Sequence, residues 1–279
     1  MTACDVCDAP GREVGYAGLR RCERCSHVWA DLAIDTETIQ RLYGRSYFFG
    51  DEYGDYLGDR RTLEKNFAGR LETLRAFLTP AHRRLFEVGC AYGFFLNAAR
   101  GLFTSVRGID VSTDAVRYAT TELGLDVVSG DLLTADLADG QFDVVCLWDT
   151  IEHLATPRRY LEVLAEHMPK GALIAVTTGD IGSLNARLQK GRWRLIHPPT
   201  HLHYFTRRSL TALLERCGFR VVHVEYSGFY RSVGGMLHNL VALRWGWPRL
   251  GEWLRQAAPA DLDVRLNLRD IMYIIAERR

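Results

Sequence analysis

No run of apolar residues in this 279-residue chain reaches the roughly 18 that a membrane-spanning helix needs, which argues against an integral membrane protein. The opening residues, MTACDVCDAP, have no basic segment leading into an apolar one, so no secretory leader is read there and the cytoplasm is the expected compartment. Charge of one sign is scarce too. Lys and Arg number 35 against 34 Asp and Glu, a formal +1, and this balance argues against nucleic acid as a partner. Internal repeats and low-complexity tracts are missing as well. What remains is a globular chain, 47% apolar, long enough for one main domain with a core of ~150–200 residues plus additions.

Disulfides are not expected of the seven cysteines, because a cytoplasmic glutathione pool keeps thiols reduced. Four of them, Cys4, Cys7, Cys22 and Cys25, form C-x2-C, a gap of fourteen residues, and a second C-x2-C. A two-residue gap folds each pair into a knuckle with both thiolates on one ion, and the second knuckle completes a tetrahedral sulfur sphere for zinc. Four thiolates leave no open coordination position, so the site is expected to be structural. Cys90, Cys146 and Cys217 stand in apolar surroundings and read as small buried hydrophobes.

Residues 1–30 therefore read as a zinc ribbon, and 31–80 as a linker followed by helix. Leu63, Phe67, Leu71, Leu74 and Leu78 recur at helical spacing, and Pro80 marks the approximate end. From Leu85 the pattern alternates. Strands are predicted at LFEV, SVRGID, DVV, FDVVCLW, ALIAVTT, FRVVHVEY and IMYIIAE, with helices over 112–123, 157–167 and 207–217 among them. Such alternation predicts an α/β domain over 81–279, a mainly parallel sheet covered by helices on both faces.

In such a sheet the ligand sits beyond the carboxyl ends of the strands, facing the first turn from strand to helix. Here that turn is bracketed by Gly89 and Gly93. A dinucleotide fingerprint counted from Gly89 would put Ala91 and Phe94 where its second and third glycines belong, and a phenyl group at the third position argues against NAD or FAD. Glu87 would face a diphosphate unfavourably, whereas a carboxylate meets an ammonium or sulfonium group favourably. The stretch Glu87-Val88-Gly89-Cys90-Ala91-Tyr92-Gly93 resembles the E-x-G-x-G-x-G motif of class I S-adenosylmethionine-dependent methyltransferases, with alanine for the middle glycine. Gly108-Ile109-Asp110-Val111, Gly130-Asp131-Leu132 and Phe142-Asp143-Val144-Val145 are similar to later motifs of that family.

The resemblance implies a Rossmann-like seven-stranded methyltransferase sheet of order 3-2-1-4-5-7-6, its last strand antiparallel, and S-adenosylmethionine as cofactor. It implies that Asp110 bonds the ribose hydroxyls, that Val111 lies against adenine, and that Asp131 and Leu132 meet the adenine edge. Glu87, Gly89, Cys90, Ala91, Gly93 and Trp148 complete the expected cofactor set. The segments Trp148-Asp149-Thr150-Ile151-Glu152-His153-Leu154 and His201-Leu202-His203-Tyr204-Phe205 resemble the E-H-L and H-L-x-Y-F segments of small-molecule methyltransferases related to ubiquinone O-methyltransferases and zinc-containing sugar methyltransferases. Both segments are then expected on the active-site rim. His153, Glu152, His201, His203 and Tyr204 are the candidate catalytic residues, with His153 as a base that Glu152 orients. A metal on His197, His201 and His203 is the weaker reading, since no neighbouring carboxylate or cysteine in sequence completes the set.

The implied function is methyl transfer to an oxygen or carbon of a small acceptor, sugar-like or quinone-like. Its rivals are a ribosomal RNA guanine-N methyltransferase, which the balanced charge of the ribbon opposes, and a non-catalytic zinc-ribbon interaction protein. An insertion over 228–269 interleaves large apolar residues with arginines. A packed helical excursion, a substrate lid, a dimer face and, over 228–255, a peripheral membrane contact are all compatible with it.

Overall fold

The structure is a computed structural model, and it describes residues 3–15, 18–32, 56–137, 140–244, 246–259 and 262–279. Most of the expected linker, 33–55, and Trp245 of the insertion lie outside the described residues.

Three short strands, β1 (Gly11–Glu13), β2 (Leu19–Cys22) and β3 (Val28–Ala30), form the ribbon. Helix α1 (Arg60–Arg75) follows, burying Phe67, Leu71 and Leu74 of the predicted stripe. The alternating part then runs β4 (Arg84–Val88), α2 (Phe94–Ala99), β5 (Ser105–Asp110), α3 (Thr113–Thr121), β6 (Asp126–Ser129), β7 (Val144–Trp148), α4 (Pro157–Glu166) and β8 (Leu173–Gly179). Beyond it come α5 (Leu184–Gln189), β9 (His203–Tyr204), α6 (Arg207–Arg216) and β10 (Phe219–Tyr226). The insertion holds β11 (Phe229–Ser232), α7 (Val233–His238), α8 (Pro248–Ala257) and β12 (Asp263–Leu266), and β13 (Ile271–Arg278) closes the chain. Helix starts follow local chemistry: the Ser112 hydroxyl accepts from the Ala115 N–H ahead of α3, Pro157 opens α4, and Thr206 and Ser209 form a capping box on α6.

Seven strands make one sheet in the order β6-β5-β4-β7-β8-β13-β10. Numbered along this sheet alone, that is the expected 3-2-1-4-5-7-6. The neighbours from β6 to β8 are parallel, and β13 enters antiparallel to both β8 and β10. Because alternate side chains of a strand point to opposite faces, Val145 and Leu147 of β7 pack with α4 and α6, while Val144, Cys146 and Trp148 pack with α1, α2 and α3. Central strands covered on both faces must be apolar throughout, and every residue of β7 and β8 is buried. Helix α1 shares a core with α2, so the break expected at residue 80 runs through one packed unit.

The ribbon does not stand alone. Strand β9 pairs antiparallel with β3, placing Val28 opposite Tyr204 and Trp29 opposite His203, and so supplies the fourth strand of the ribbon sheet. Cys4, Val6, Cys22 and Trp29 are buried in one cluster with Phe205, Leu210 and Leu213. Asp5 accepts from the Arg158 backbone N–H at 2.7 Å, and Asp8 pairs with Arg158 and Arg216.

The insertion is anchored to α1. Strands β11 and β12 form an antiparallel hairpin, Asp263 takes ion pairs from Arg61 and Lys65, and Asn66 bonds both backbone groups of Tyr230. No helix among the described residues is long and apolar enough to cross a membrane.

Candidate active site

A cleft of about 870 Å³, counting its open mouth, lies beyond the carboxyl ends of β4, β5 and β7. That is the position where doubly wound sheets bind ligands. Its floor begins at the glycine turn. Gly89 has φ +72°, and a Cβ there would fall 2.6 Å from the Thr150 hydroxyl oxygen, so only glycine fits.

Gly89, Ala91, Asp110, Val111, Asp131, Leu132 and Trp148, seven of the expected cofactor residues, line the cleft. Asp110 is held rigidly: one carboxylate oxygen accepts from the Ser112 N–H at 2.8 Å and the other from the Ala91 N–H at 2.7 Å. Burial pushes its pKa up, opposed by those two N–H groups. Each oxygen keeps a further lone pair for an incoming hydroxyl. Asp131 accepts from the Tyr160 hydroxyl at 2.7 Å and the Leu133 N–H at 2.8 Å.

Glu87, Cys90 and Gly93 do not line the cleft. Glu87 is buried beneath it, and burial and the Asp110 charge push its carboxyl well up, opposed by Arg70. Its Oε2 finds no hydrogen-bond partner among the described residues. The Cys90 thiol packs on Gly108, and Gly93, at φ +76°, starts α2 where a Cβ would meet Leu125.

Of the five candidate catalytic side chains, only His153 lines the cleft. It ends the 3-10 turn Ile151–His153 after β7, and its Nδ1 donates to the Thr200 carbonyl at 2.8 Å. Burial lowers its pKa to about 4, so the ring is neutral at pH 7. Glu152, behind it, is pushed up to about 8 by burial and by Asp149. His201 is buried edge-on against His153, with ring centroids 4.5 Å apart.

His203 and Tyr204 are corrections to the expected rim. His203 points into the ribbon interface, where its Nδ1 lies 2.9 Å from Nε2 of His27, and burial lowers its pKa to about 4. The Tyr204 hydroxyl donates to the His201 carbonyl at 2.9 Å inside the core. The β9 pairing causes this, because it turns both side chains into the ribbon and core packing and away from the cleft.

Sequence reasoning assigned no role to Asp149, Thr150, Tyr160 and Arg70. Asp149 takes the left-handed backbone, φ 50°, at the cleft wall, and its carboxylate accepts from Arg70 at 2.5 Å and Thr177 at 3.0 Å. Its place directly after the fourth strand was a usable signal. Arg70 lies on α1, far away in sequence, and had none. No described residue of the insertion lines the cleft.

The cysteines converge as spaced. Cys4 and Cys25 sulfurs lie 3.5 Å apart, those of Cys7 and Cys22 3.4 Å apart, and all four within 4.8 Å of one another. The N–H groups of Arg24 and Cys25 each reach the Cys22 sulfur at 3.4 Å, as a knuckle requires. This donor set suits a tetrahedral zinc ion.

The fold and the cleft together define a Rossmann-like methyltransferase. A family model described as a methyltransferase domain matches residues 60–224, more than half of the chain, and the chain belongs to that family. It is 28% identical over 134 residues to the ubiquinone biosynthesis O-methyltransferase of Xanthomonas axonopodis pv. citri, covering 46% of this chain and 56% of that one. It is 33% identical over 101 residues to the protein of the same name from Caulobacter vibrioides, covering 34% and 40%. The chain thus spans about half the length of these curated relatives. Among solved structures, magnesium protoporphyrin IX methyltransferase from Synechocystis, with S-adenosylhomocysteine bound, is 13% identical with a TM-score of 0.54 over 88% of this chain and all of that one. A methyltransferase from Thermotoga maritima is 17% identical with a TM-score of 0.54, covering 86% of this chain and all of that one.

The residues present fit the cofactor this family implies. Asp110 offers two anchored oxygens, Gly89 leaves room for close backbone approach, and Glu87 supplies a buried carboxyl beneath the turn. Asp110→Ala is expected to weaken S-adenosylhomocysteine binding by ~10²-fold, about the effect of losing one or two charge-assisted hydrogen bonds. Calorimetry checks this, and unchanged affinity removes Asp110 from the ribose site.

Proposed function

We propose that this protein transfers a methyl group from S-adenosylmethionine to a hydroxyl oxygen of a small-molecule acceptor, with a structural zinc in its ribbon. The single observation that carries the reading is one cleft joining the anchored Asp110 at one end to His153 and Asp149 at the other. When bound, the cofactor supplies an electrophilic methyl: the acceptor's lone pair forms the new bond, and the carbon–sulfur bond breaks with its electron pair going to sulfur. Asp110 and Asp131 would hold the nucleoside end. Val88, Ile109, Leu132 and Trp148 give the cleft apolar walls that limit water.

His153 would receive the acceptor. With its Nδ1 donating to the Thr200 carbonyl, the neutral ring would take the hydroxyl proton on Nε2 as the new carbon–oxygen bond forms. Oxygen is favoured over carbon because the curated relatives are named O-methyltransferases. A labelled-methyl transfer screen over cell extract, with mass analysis of the products, tests the reading. Label in a methyl ether supports it; label on carbon, or no transfer by protein that binds S-adenosylhomocysteine, overturns it.

A further inference from the structure

Asp131 and Tyr160 line the cleft together, and the bond between them joins two separate elements. Tyr160, 5% exposed, stands on α4 and packs in the core that holds Leu132, Phe142 and Leu161, while its hydroxyl donates to Oδ2 of Asp131 at 2.7 Å. The other carboxylate oxygen, Oδ1, accepts from the Leu133 N–H at 2.8 Å. That second bond is local, within the turn after β6 whose Asp131 carbonyl also accepts from the Thr134 and Ala135 N–H groups. Among the described residues, only Tyr160 holds this carboxylate from another element.

A carboxylate with one local bond can swing about its side-chain torsions, whereas a second bond from a ring fixed in the core sets its plane. The ring is fixed at its root as well. Pro157 opens α4, and the Arg158 N–H donates to Asp5 of the ribbon. Burial and the bond to Asp131 push the Tyr160 phenol well up, so the hydroxyl keeps its proton and donates. Each oxygen of Asp131 then has a lone pair left for a ligand, and a carboxylate accepts without donating.

The sheet order decides which part of a nucleoside that carboxylate meets. Asp110 ends β5, the turn of Gly89 follows β4, and Trp148 and His153 belong to β7 and the turn after it, on the far side of β4. A ribose held by Asp110 with its sulfur substituent running toward β4 and β7 therefore has its base on the β6 side, against Leu132 and Asp131.

We infer that Tyr160 is a specificity-determining positioning residue for the cofactor: by fixing Asp131 it makes the cleft demand an amino group on the base and reject a carbonyl oxygen in its place. Adenine carries that exocyclic amine, and hypoxanthine, of nearly the same shape, carries an oxygen there and a hydrogen on the adjacent ring nitrogen. A fixed carboxylate gains a charge-assisted hydrogen bond from the amine and meets the oxygen as one electron-rich atom against another. A loose carboxylate would turn to the ring N–H of hypoxanthine and discriminate less. Sites built around a hydrogen bond reject the analogue that cannot make it more strongly than sites built on shape.

The role given to Tyr160 rests on the proposed use of the cleft for S-adenosylmethionine. S-adenosylhomocysteine and its deaminated analogue, S-inosylhomocysteine, are titrated by calorimetry into the full chain as wild type, Tyr160→Phe, Asp131→Asn and the double variant. Phenylalanine keeps the ring in the core, and thermal melting checks the fold. Wild type is expected to prefer the adenine compound by ~10²-fold or more. Tyr160→Phe should narrow that preference at least ~5-fold, through weaker binding of the adenine compound, the size of a lost hydrogen bond to a charged group. It should narrow it no further in the Asp131→Asn background, where the acid it positions is gone. Equal losses for both compounds, an unchanged ratio, or the same narrowing without Asp131 overturns the role. Asp131→Asn sits at a half-buried turn and leaves the core alone, so a wild-type preference in that variant overturns it too. Wild-type protein that binds both compounds equally sinks this inference alone, and wild-type protein that binds neither sinks the cofactor reading and the Tyr160 role with it.

Discussion

Replacing Cys22 with serine, or stripping the ribbon metal with a strong chelator, is expected to unfold the ribbon and to loosen the 201–205 segment with it. Structural zinc sites of this kind contribute ~10 kcal/mol or more of apparent binding free energy at pH 7, and that energy is folding energy because the unfolded chain has no site. Here the ribbon is continuous with the main domain: β9 is its fourth strand, and Cys4, Cys22 and Trp29 share a core with Phe205 and Leu210. Loss of the metal therefore exposes part of the main core and removes the packing that holds His201 beside His153. Metal analysis should give one thiolate-bound zinc per wild-type chain and none in the variant. Hydrogen exchange should show protection lost across β1–β3 and β9 but kept in β4, β7 and β8. Turnover abolished by chelation while β1–β3 stay protected would show that the structural role is wrong.

His153→Ala is expected to lower kcat by ~10²-fold or more with S-adenosylhomocysteine affinity unchanged, the usual size of a lost acid–base or positioning contribution. His153, Asp110 and Asp131 all line the cleft, but only the two aspartates are assigned to the cofactor, so the two measurements separate. Burial depresses the imidazole to about 4, so the ring is neutral from about pH 4 upward and becomes protonated only as pH falls through that value. The wild-type rate profile should accordingly lack a limb near the ordinary histidine value of ~6.5 that vanishes in the variant. Near-wild-type kcat in His153→Ala would remove the residue from the chemistry. A limb near 6.5 that depends on His153 would show the ring to be accessible and titrating, as a general base would be.

Much of the architecture was legible before any coordinates. Leu63, Phe67, Leu71 and Leu74 mark α1 because a helix buries one stripe, and Val144 to Trp148 read as a central strand because a sheet covered on both faces has no polar side. Gly89 and Asp110 were legible for a related reason: a turn that admits no Cβ and an acid at the end of the next strand are local requirements, written within a few residues of where they act. The C-x2-C pairs belong to the same kind, since two residues of spacing fix two thiolates on one ion.

Other features depend on which surfaces meet after folding, and spacing carries no record of that. The H-L-H-Y-F segment looked like one functional strip, yet the β3–β9 pairing sends His203 to His27, 176 residues away, and leaves His201 with the cleft-side His153. No carboxylate neighbours His197, His201 or His203 in sequence, but the fold sets Glu152 and His153 beside His201. Arg70 reaches Asp149 from a helix 79 positions upstream. The apolar insertion, whose composition fits a lid as well as a packed excursion, is tied to α1 by Asp263 and Asn66. Sequence by itself determined the elements, the cofactor turn and the thiolate set, because periodicity and short-range geometry are local. Tertiary structure alone decided that His203 and Tyr204 turn away from the cleft and that Arg70 reaches Asp149, because long-range partners are chosen by the burial of whole faces.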